Sequence, residues 1–206
     1  MKNFKELINK IGLHLKPKGF KQKGDSFYVD EYNNWGLINF QKSRSSTSLT
    51  TIFTINLGIS SSILREYQEI DISKKPTIDE CHWHKRIGSL FDKQEDYWWS
   101  LDVNTDLEKM SDEIILMLNE LVIPEIHTYI SDESLESEWL NDRGSGLTDL
   151  QIYVNLTTLL KLKGSDKLFQ VIESIRKDID KKSCKTSFEF HIKHLLDSPL
   201  AHGVAR

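Results

Sequence analysis

The spacing of hydrophobic positions predicts a helix at the start of the chain, followed by strands. The first segment is amphipathic and stops before Pro17, because the residue that precedes a proline avoids the helical conformation. Its apolar residues recur every three or four positions, at Phe4, Leu7, Ile8, Ile11 and Leu15. From Phe20 onward the period changes to two, which is typical of strands with one buried face.

Five segments show the alternation or the β-branched and aromatic content expected of strands. They are residues 27–29, 35–44, 49–59, 83–90 and 97–103. Polar side chains recur on one side of the second and third segments, at Asn39, Gln41, Thr54 and Asn56. The polar loops between the segments favour antiparallel pairing. We therefore expect a sheet with one apolar face and one polar face, the latter either covered by helices or presented to a partner.

Beyond Asp106 the apolar period is helical to near the end of the chain. Pro124 is expected to end or kink the first of these helices. Thr148 and Thr186 each precede Gln or Glu by three residues, which predicts two capping boxes that open later helices. The predicted fold is α+β, with an N-terminal helix, an antiparallel sheet of about five strands and C-terminal antiparallel helices. Residues 1–130 form the α+β domain, and residues 131–206 form a helical extension packed on it.

Composition narrows the class of protein. The formal net charge of -4 disfavours a dedicated nucleic-acid binder, which usually carries a basic excess. The chain contains no run of about 20 apolar residues, so no membrane span is expected. The N-terminus lacks the apolar region of a signal peptide, and the two cysteines, Cys81 and Cys184, do not form a disulfide framework. These features together predict a cytoplasmic protein.

An ordered set of short blocks resembles a bacterial domain of unknown function, family DUF4304. The blocks are KPKGF at 16–20, Gly24, Phe27-Tyr28, INFQKS at 38–43, FTINLG at 53–58, WHKRIGSL at 83–90 and Trp98-Trp99. The resemblance covers about residues 5 to 130. It implies no established activity and no catalytic residues. Some small bacterial domains of this kind resemble immunity proteins that neutralise toxins.

The run Cys81-His82-Trp83-His84 is the sharpest candidate for a chemical site. His82 and His84 share one face of a strand, and a zinc site needs three or four protein ligands. The run supplies at most three, although His191 or His194 could add a remote ligand. We therefore expect no metal or other cofactor, and keep a metal-dependent hydrolase that uses His82 and His84 as an alternative.

Aromatic and acidic residues suggest surfaces for a protein partner. Trp98 and Trp99 must point to opposite faces of a strand, so one can lie in the core and the other can anchor a partner, since Trp and Tyr dominate binding hot spots. The predicted partner-binding residues are Trp35, Tyr97, Trp99, Glu133, Glu136 and Glu138. The three glutamates would complement a basic partner.

The sequence thus favours binding over catalysis. The leading hypothesis is a non-enzymatic protein-binding module, specifically an immunity or antitoxin protein that neutralises a bacterial toxin by direct binding. A regulatory adaptor that docks through its C-terminal helices is a further alternative to the hydrolase.

Overall fold

A computed structural model describes residues 2–141 and 146–197, and it confirms the α+β fold. The N-terminal helix is α1 (Lys2–Leu15). The strands are β1 (Lys21–Lys23), β2 (Ser26–Glu31), β3 (Asn34–Lys42), β4 (Thr51–Ser60), β5 (Trp83–Arg86) and β6 (Trp99–Leu101). The other α-helices are α2 (Ser62–Tyr67), α3 (Leu107–Met117), α4 (Ile123–Tyr129), α5 (Asp132–Asn141), α6 (Asp149–Leu162), α7 (Leu168–Asp178) and α8 (Lys185–Asp197).

The strands form one antiparallel sheet with β4 as its longest member. The order is β1-β2-β3-β4-β5, and β6 also pairs with β4. Residues Asn56 to Ile59 of β4 pair with β5, whereas Thr51 to Phe53 pair with β6. Between these two partners, the Thr54 hydroxyl donates to the carbonyl oxygen of Tyr97 at 2.8 Å. One edge of β4 is therefore shared by two short strands.

The inner face of the sheet holds the main hydrophobic core. Helices α1, α3 and α4 contribute to the same buried cluster as the sheet's apolar residues. Phe53 is fully buried, its ring stacks on Trp99 with centroids 5.5 Å apart, and Phe4 of α1 meets it edge-on. Gly36 leaves room for α4, because an added Cβ would lie 2.6 Å from a methyl group of Ile126.

Pro124 does not end its helix. The chain stays helical from Leu107 to Tyr129 and passes through a π turn at Leu118–Val122, immediately before α4. Proline has no N–H to donate to the preceding turn, and a wider i→i+5 turn at this point accommodates that missing hydrogen bond. The backbone N–H of Ile123 donates to Leu118 in this manner.

The outer face of the sheet is divided into two halves. One half carries a small second cluster, made by Tyr28, Leu37, Cys81, Trp35 and Ile78. The segment that follows α2 covers this half. A Cβ at Gly58 would lie 2.5 Å from the Cys81 sulfur, so glycine is required there by close packing.

Several predicted boundaries differ from the observed ones. The fourth predicted strand stops at Arg86 and continues as a 3₁₀ turn at Ile87–Leu90, and the last strand covers only Trp99–Leu101. The capping box at Thr148 and Gln151 is confirmed. Thr186 instead lies inside α8, and Glu189 pairs with Arg176 of α7 at 2.7 Å.

Helices α5 to α8 share the main core with the sheet. Leu135, Trp139, Ile152 and Leu156 belong to the same buried cluster as α1 and β4. The division of the chain at residues 130 and 131 falls in the short connection between α4 and α5. The division into two domains stays a prediction. The hydrophobic core is continuous across the proposed boundary.

Candidate binding face

The second half of the outer face is polar and accessible to solvent. We call it the polar strip, defined by Ser26, Asn39, Gln41, Asn56, Arg86, Asp96 and Trp98. Gln41 and Asp96 are exposed, whereas Asn56 is buried among its neighbours. The strip follows from strand alternation, since the residues between these positions, such as Ile38, Phe40 and Ile55, fill the inner face.

Hydrogen bonds connect the strip from β2 to β5. The amide nitrogen of Asn39 donates to the Ser26 hydroxyl at 2.9 Å. The amide nitrogen of Asn56 donates to Oε1 of Gln41 at 2.8 Å, and more weakly to Oδ1 of Asn39 at 3.4 Å. Nε of Arg86 then donates to Oδ1 of Asn56 at 3.4 Å. These contacts hold the side chains in fixed positions, and a preorganised face of this kind is one that loses little conformational entropy on binding.

Arg86 and Trp98 form the aromatic end of the strip. The guanidinium carbon lies 5.1 Å from the centroid of the Trp98 ring, which is a cation–π arrangement. Asp96 joins the two, accepting from Nη1 of Arg86 at 2.7 Å and from Nε1 of Trp98 at 2.9 Å. These two hydrogen bonds, the one from Arg86 first, lower the pKa of Asp96. The carboxylate therefore stays charged and fixes the stack.

A close backbone approach brings Asp96 and Trp98 to the sheet. A Cβ at Gly88 would lie 1.8 Å from the carbonyl oxygen of Glu95, so only glycine lets the loop after β5 fold back this tightly. The loop then enters β6, where successive residues point to opposite faces. Trp98 consequently reaches the strip, and Trp99 enters the core.

The structure places Trp99, one of the predicted partner-binding residues, in the core. Only 4% of Trp99 is exposed, and its indole nitrogen donates to Oε1 of Glu113 at 3.1 Å. Tyr97 is half-buried on the same side, and its hydroxyl donates to the same oxygen at 3.1 Å. Burial, followed by the charge of Glu113, raises the pKa of Tyr97. Both rings thus attach α3 to the sheet.

Trp35 lies on the outer face, separated from Tyr97 and Trp99 by the sheet. Its ring meets Tyr28 edge-on at 6.2 Å and is half-buried in the second cluster. The three predicted aromatic residues therefore do not form one patch. The tryptophan of the strip is the half-buried Trp98, which strand alternation alone could not distinguish from Trp99.

The predicted acidic surface on α5 is largely engaged within the molecule. The ammonium of Lys163 lies 3.1 Å from Glu133 and 2.9 Å from Glu136, and Lys167 lies 3.7 Å from Glu136. Only 8% of Glu138 is exposed. Glu133 and Glu136 hold α5 against α6, so they offer less uncompensated charge to a basic partner than their sequence cluster suggests.

His82 is a neutral residue of the covered half of the outer face. The backbone N–H of Ser61 donates to Nδ1 at 3.0 Å, so the proton lies on Nε2, 3.3 Å from Oε1 of Gln68. Burial, with a contribution from the charge of Arg65, lowers the pKa of His82 to about 4. Burial also lowers the pKa of His84. A metal ion would have to displace a protein partner from His82 before binding it.

A metal centre would also need further ligands. Within residues 2–141 and 146–197, His, Cys, Asp and Glu side chains do not gather in groups of three or more that could hold a metal ion. The thiol of Cys81 contacts the carbonyl oxygen of Thr77 at 3.4 Å, and burial raises its pKa. Cys81 is therefore a protonated core residue of the second cluster.

The fold and the strip define an α+β protein with a preorganised polar face on an antiparallel sheet. The family model described as domain of unknown function (DUF4304) matches residues 11–128, so the chain belongs to this family. Comparison with curated proteins and with solved structures found no match. In the described part of the chain no single helix is long and apolar enough to cross a membrane, although α3–α4 together with α5, bent by 96°, meets the criteria of length and composition.

Proposed function

We propose that this protein is a non-enzymatic protein-binding module whose binding face is the polar strip. The observation that supports it is the continuous hydrogen-bonded network from Ser26 to Trp98 on an accessible sheet face. Such a face presents amide groups to the backbone and polar side chains of a partner, and Trp98 with Arg86 provides the kind of anchor that dominates binding energy.

Within this class we propose a toxin-neutralising immunity protein that acts in the cytoplasm by steric occlusion. The resemblance of such small bacterial domains to immunity proteins supports this choice of partner. The rigid strip supports occlusion, because it binds without ordering new segments. We assign recognition to the strip and not to the glutamates of α5, since Glu133 and Glu136 already pair with Lys163.

The test is co-expression with the product of the adjacent upstream gene, followed by size exclusion and calorimetry. We expect a tight one-to-one complex that relieves toxicity. Trp98→Ala should weaken it by about 2 kcal/mol or more, which is the range of an interface hot spot. Absence of both toxicity and a complex would contradict the immunity function.

Phe190→Ala is the matched control, because it also removes an accessible aromatic ring, but on α8. If Phe190→Ala abolished binding and Trp98→Ala did not, the binding face would be wrong. That outcome would favour the second candidate, a regulatory adaptor that docks through its helical section. The observation in favour of the adaptor is that Phe169 of α7 and Phe190 of α8 are each 66% exposed.

A further inference from the structure

Three lysine side chains meet on the outer face of the sheet, at the edge that β1 forms. Lys21 of β1 pairs with Tyr28 of β2, and Lys23 pairs with Ser26, the first residue of the polar strip. Residues that are paired directly point to the same face, so both lysines lie on the outer face. The ammonium of Lys75, from the segment after α2, lies 4.8 Å from the centroid of the Tyr28 ring. We call Lys21, Lys23 and Lys75 the lysine cluster.

The positive charges of the lysine cluster are not paired within the part of the chain that the structure describes. The two lysines of β1 are exposed and Lys75 is half-buried, and none of the three forms an ion pair with a described residue. Two carboxylates close in the sequence are engaged elsewhere. Asp25 pairs with Lys42 at 2.8 Å, and Asp71 pairs with Lys74 at 3.4 Å.

The three charges therefore repel one another. Burial, followed by the charges of Lys21 and Lys23, lowers the pKa of Lys75. Like charges that lie close together without a counter-charge destabilise the folded state, and an anionic partner would remove this repulsion. The other end of the strip differs, since Arg86 already pairs with Asp96 at 2.7 Å.

Protection of the sheet edge accounts for only part of the cluster. Lysines on an edge strand discourage pairing with a second sheet, and Lys21 and Lys23 are placed for this role. Lys75 belongs to a different segment, yet its ammonium lies over Tyr28 on the same face. Two separate segments thus bring positive charge to one place, which indicates a binding site for an anion.

The surroundings favour an acidic protein segment over a nucleic acid. Beyond Ser26 the cluster continues into the polar strip, where the exposed amide of Gln41 can pair with peptide groups. Nucleic-acid binders usually neutralise several phosphates and carry a basic excess, whereas this chain has a net charge of -4. Single-stranded nucleic acids also stack bases on aromatic rings, but Arg86 already lies against the ring of Trp98 at 5.1 Å.

We propose that the lysine cluster binds the carboxylates of an acidic segment of the protein partner, which then continues along the polar strip. The inference rests on the proposed function, because it names the chemistry of the partner for the same face. Lys21 and Lys23 are two positions apart on a strand, so their Cα atoms are separated by about 7 Å. Carboxylates at alternate positions of an extended segment have the same spacing.

The test is titration of the full chain with a synthetic ten-residue peptide of alternating glutamate and serine, followed by nitrogen-edited NMR spectra. We expect saturable binding that shifts the backbone signals of Lys21, Lys23, Gln41 and Lys75. The peptide with glutamine in place of glutamate should bind at least about tenfold more weakly, a difference of about 1.4 kcal/mol. Absence of saturable binding of the acidic peptide would overturn the proposal. Tighter binding of a uridine oligonucleotide of the same length at physiological salt would overturn it in favour of a nucleic acid.

The double variant Lys21→Glu/Lys23→Glu separates anion binding from edge protection. Glutamate keeps the edge strand charged, so the edge stays protected while the anion site is lost. We expect the acidic peptide to bind at least about tenfold more weakly, with an unfolding temperature equal to that of the parent or higher, because the repulsion of Lys75 becomes an attraction. A fall in the unfolding temperature would assign the two lysines a structural role and overturn the proposal.

The matched control is Lys109→Glu/Lys193→Glu, which makes the same change in net charge at exposed positions of α3 and α8. It should leave binding of the acidic peptide within about twofold of the parent. If this control lost as much affinity as the β1 variant, the effect would come from net charge and not from the cluster, and the proposal would be wrong.

Failure of this inference is distinguishable from failure of the proposed function. If the toxin complex forms and depends on Trp98 but not on Lys21 and Lys23, the strip is the binding face and the acidic-partner inference is wrong. If the acidic peptide binds the cluster but no toxin complex forms, the immunity function is wrong and the anion site stands.

Discussion

The two faces of the sheet use the same strands for different purposes. On the inner face, Phe53, Ile55 and Leu57 of β4 are fully buried against helices. On the outer face, Thr54 and Asn56 alternate with them and belong to polar contacts that reach solvent at Gln41 and Trp98. Burial of apolar side chains stabilises the inner face, whereas hydrogen bonds stabilise the strip. The comparison predicts that substitutions on the inner face of β4 change stability, whereas substitutions on its outer face change the binding proposed for the strip.

The largest effect is expected on the inner face. Phe53→Ala removes a ring that contacts Phe4, Phe40 and Trp99, and should lower the free energy of unfolding by about 3–5 kcal/mol. Urea denaturation followed by tryptophan fluorescence measures it. A loss below about 1 kcal/mol would show that the two faces do not differ as described.

The next effect depends on pH and concerns the covered half of the outer face. The pKa of His82 is lowered from 6.5 to about 4, so below pH 6.5 the unfolded chain takes up a proton that the folded chain does not. The contribution of His82 to the free energy of unfolding should therefore fall as pH decreases from about 6.5 to about 4, by roughly 3 kcal/mol at most, and level off below.

His82→Gln should flatten this dependence without removing it. Burial also lowers the pKa of His191 to about 4, so His191→Gln removes a separate share of the slope and is the matched comparison. Urea denaturation at several pH values between 4 and 7 measures both. An unchanged slope in the His82 variant would mean that His82 is protonated in the folded protein.

A smaller effect is expected from Gly58→Ala. The added methyl group would lie 2.5 Å from the Cys81 sulfur and 2.9 Å from Ile78, so the covering segment must move away from the sheet. Overpacking of this kind costs roughly 1–3 kcal/mol. Thermal unfolding measures the loss. Gly24→Ala is a poor control despite its open surroundings, because its φ of 62° strains any other residue.

The smallest effect on stability is expected within the polar strip. Asn56→Ala removes donors to Gln41 and Asn39, and should cost only about 1 kcal/mol, the usual net value of an intramolecular hydrogen bond. Calorimetry with the partner should show a larger loss, because Gln41 and Arg86 lose their fixed positions. If stability fell more than binding, the strip would be structural.

The sequence predicted features that repeat with a period. The inner face of β4 and the polar alternation of Asn39, Gln41, Thr54 and Asn56 could be read directly from the chain. β1 was missed because Lys21-Gln22-Lys23 contains no apolar residue and pairs only along one edge. The π turn before Pro124 was also not foreseen, since the sequence does not reveal whether a helix widens or ends.

The site was harder to predict because its contacts join distant positions. Glu133 and Glu136 form an acidic cluster in the sequence, but their partner Lys163 follows the end of α6, far along the chain. Arg86 meets Asp96 and Trp98 only because Gly88 lets the loop return. The hydrophobic pattern of the sequence does not distinguish Trp98 from Trp99. Only the way in which β6 pairs with β4 determines which of the two side chains lies on the outer face.

The shared edge of β4 has a consequence for how the chain avoids aggregation. Residues 51 to 59 are β-branched or aromatic at most positions, uncharged and free of proline, which is the composition of segments that form intermolecular β-structure. In the folded protein β3 occupies one edge, while β5 and β6 divide the other. Both short strands come later in the chain, so a nascent polypeptide leaves this segment exposed until residues 83 to 101 have been synthesised.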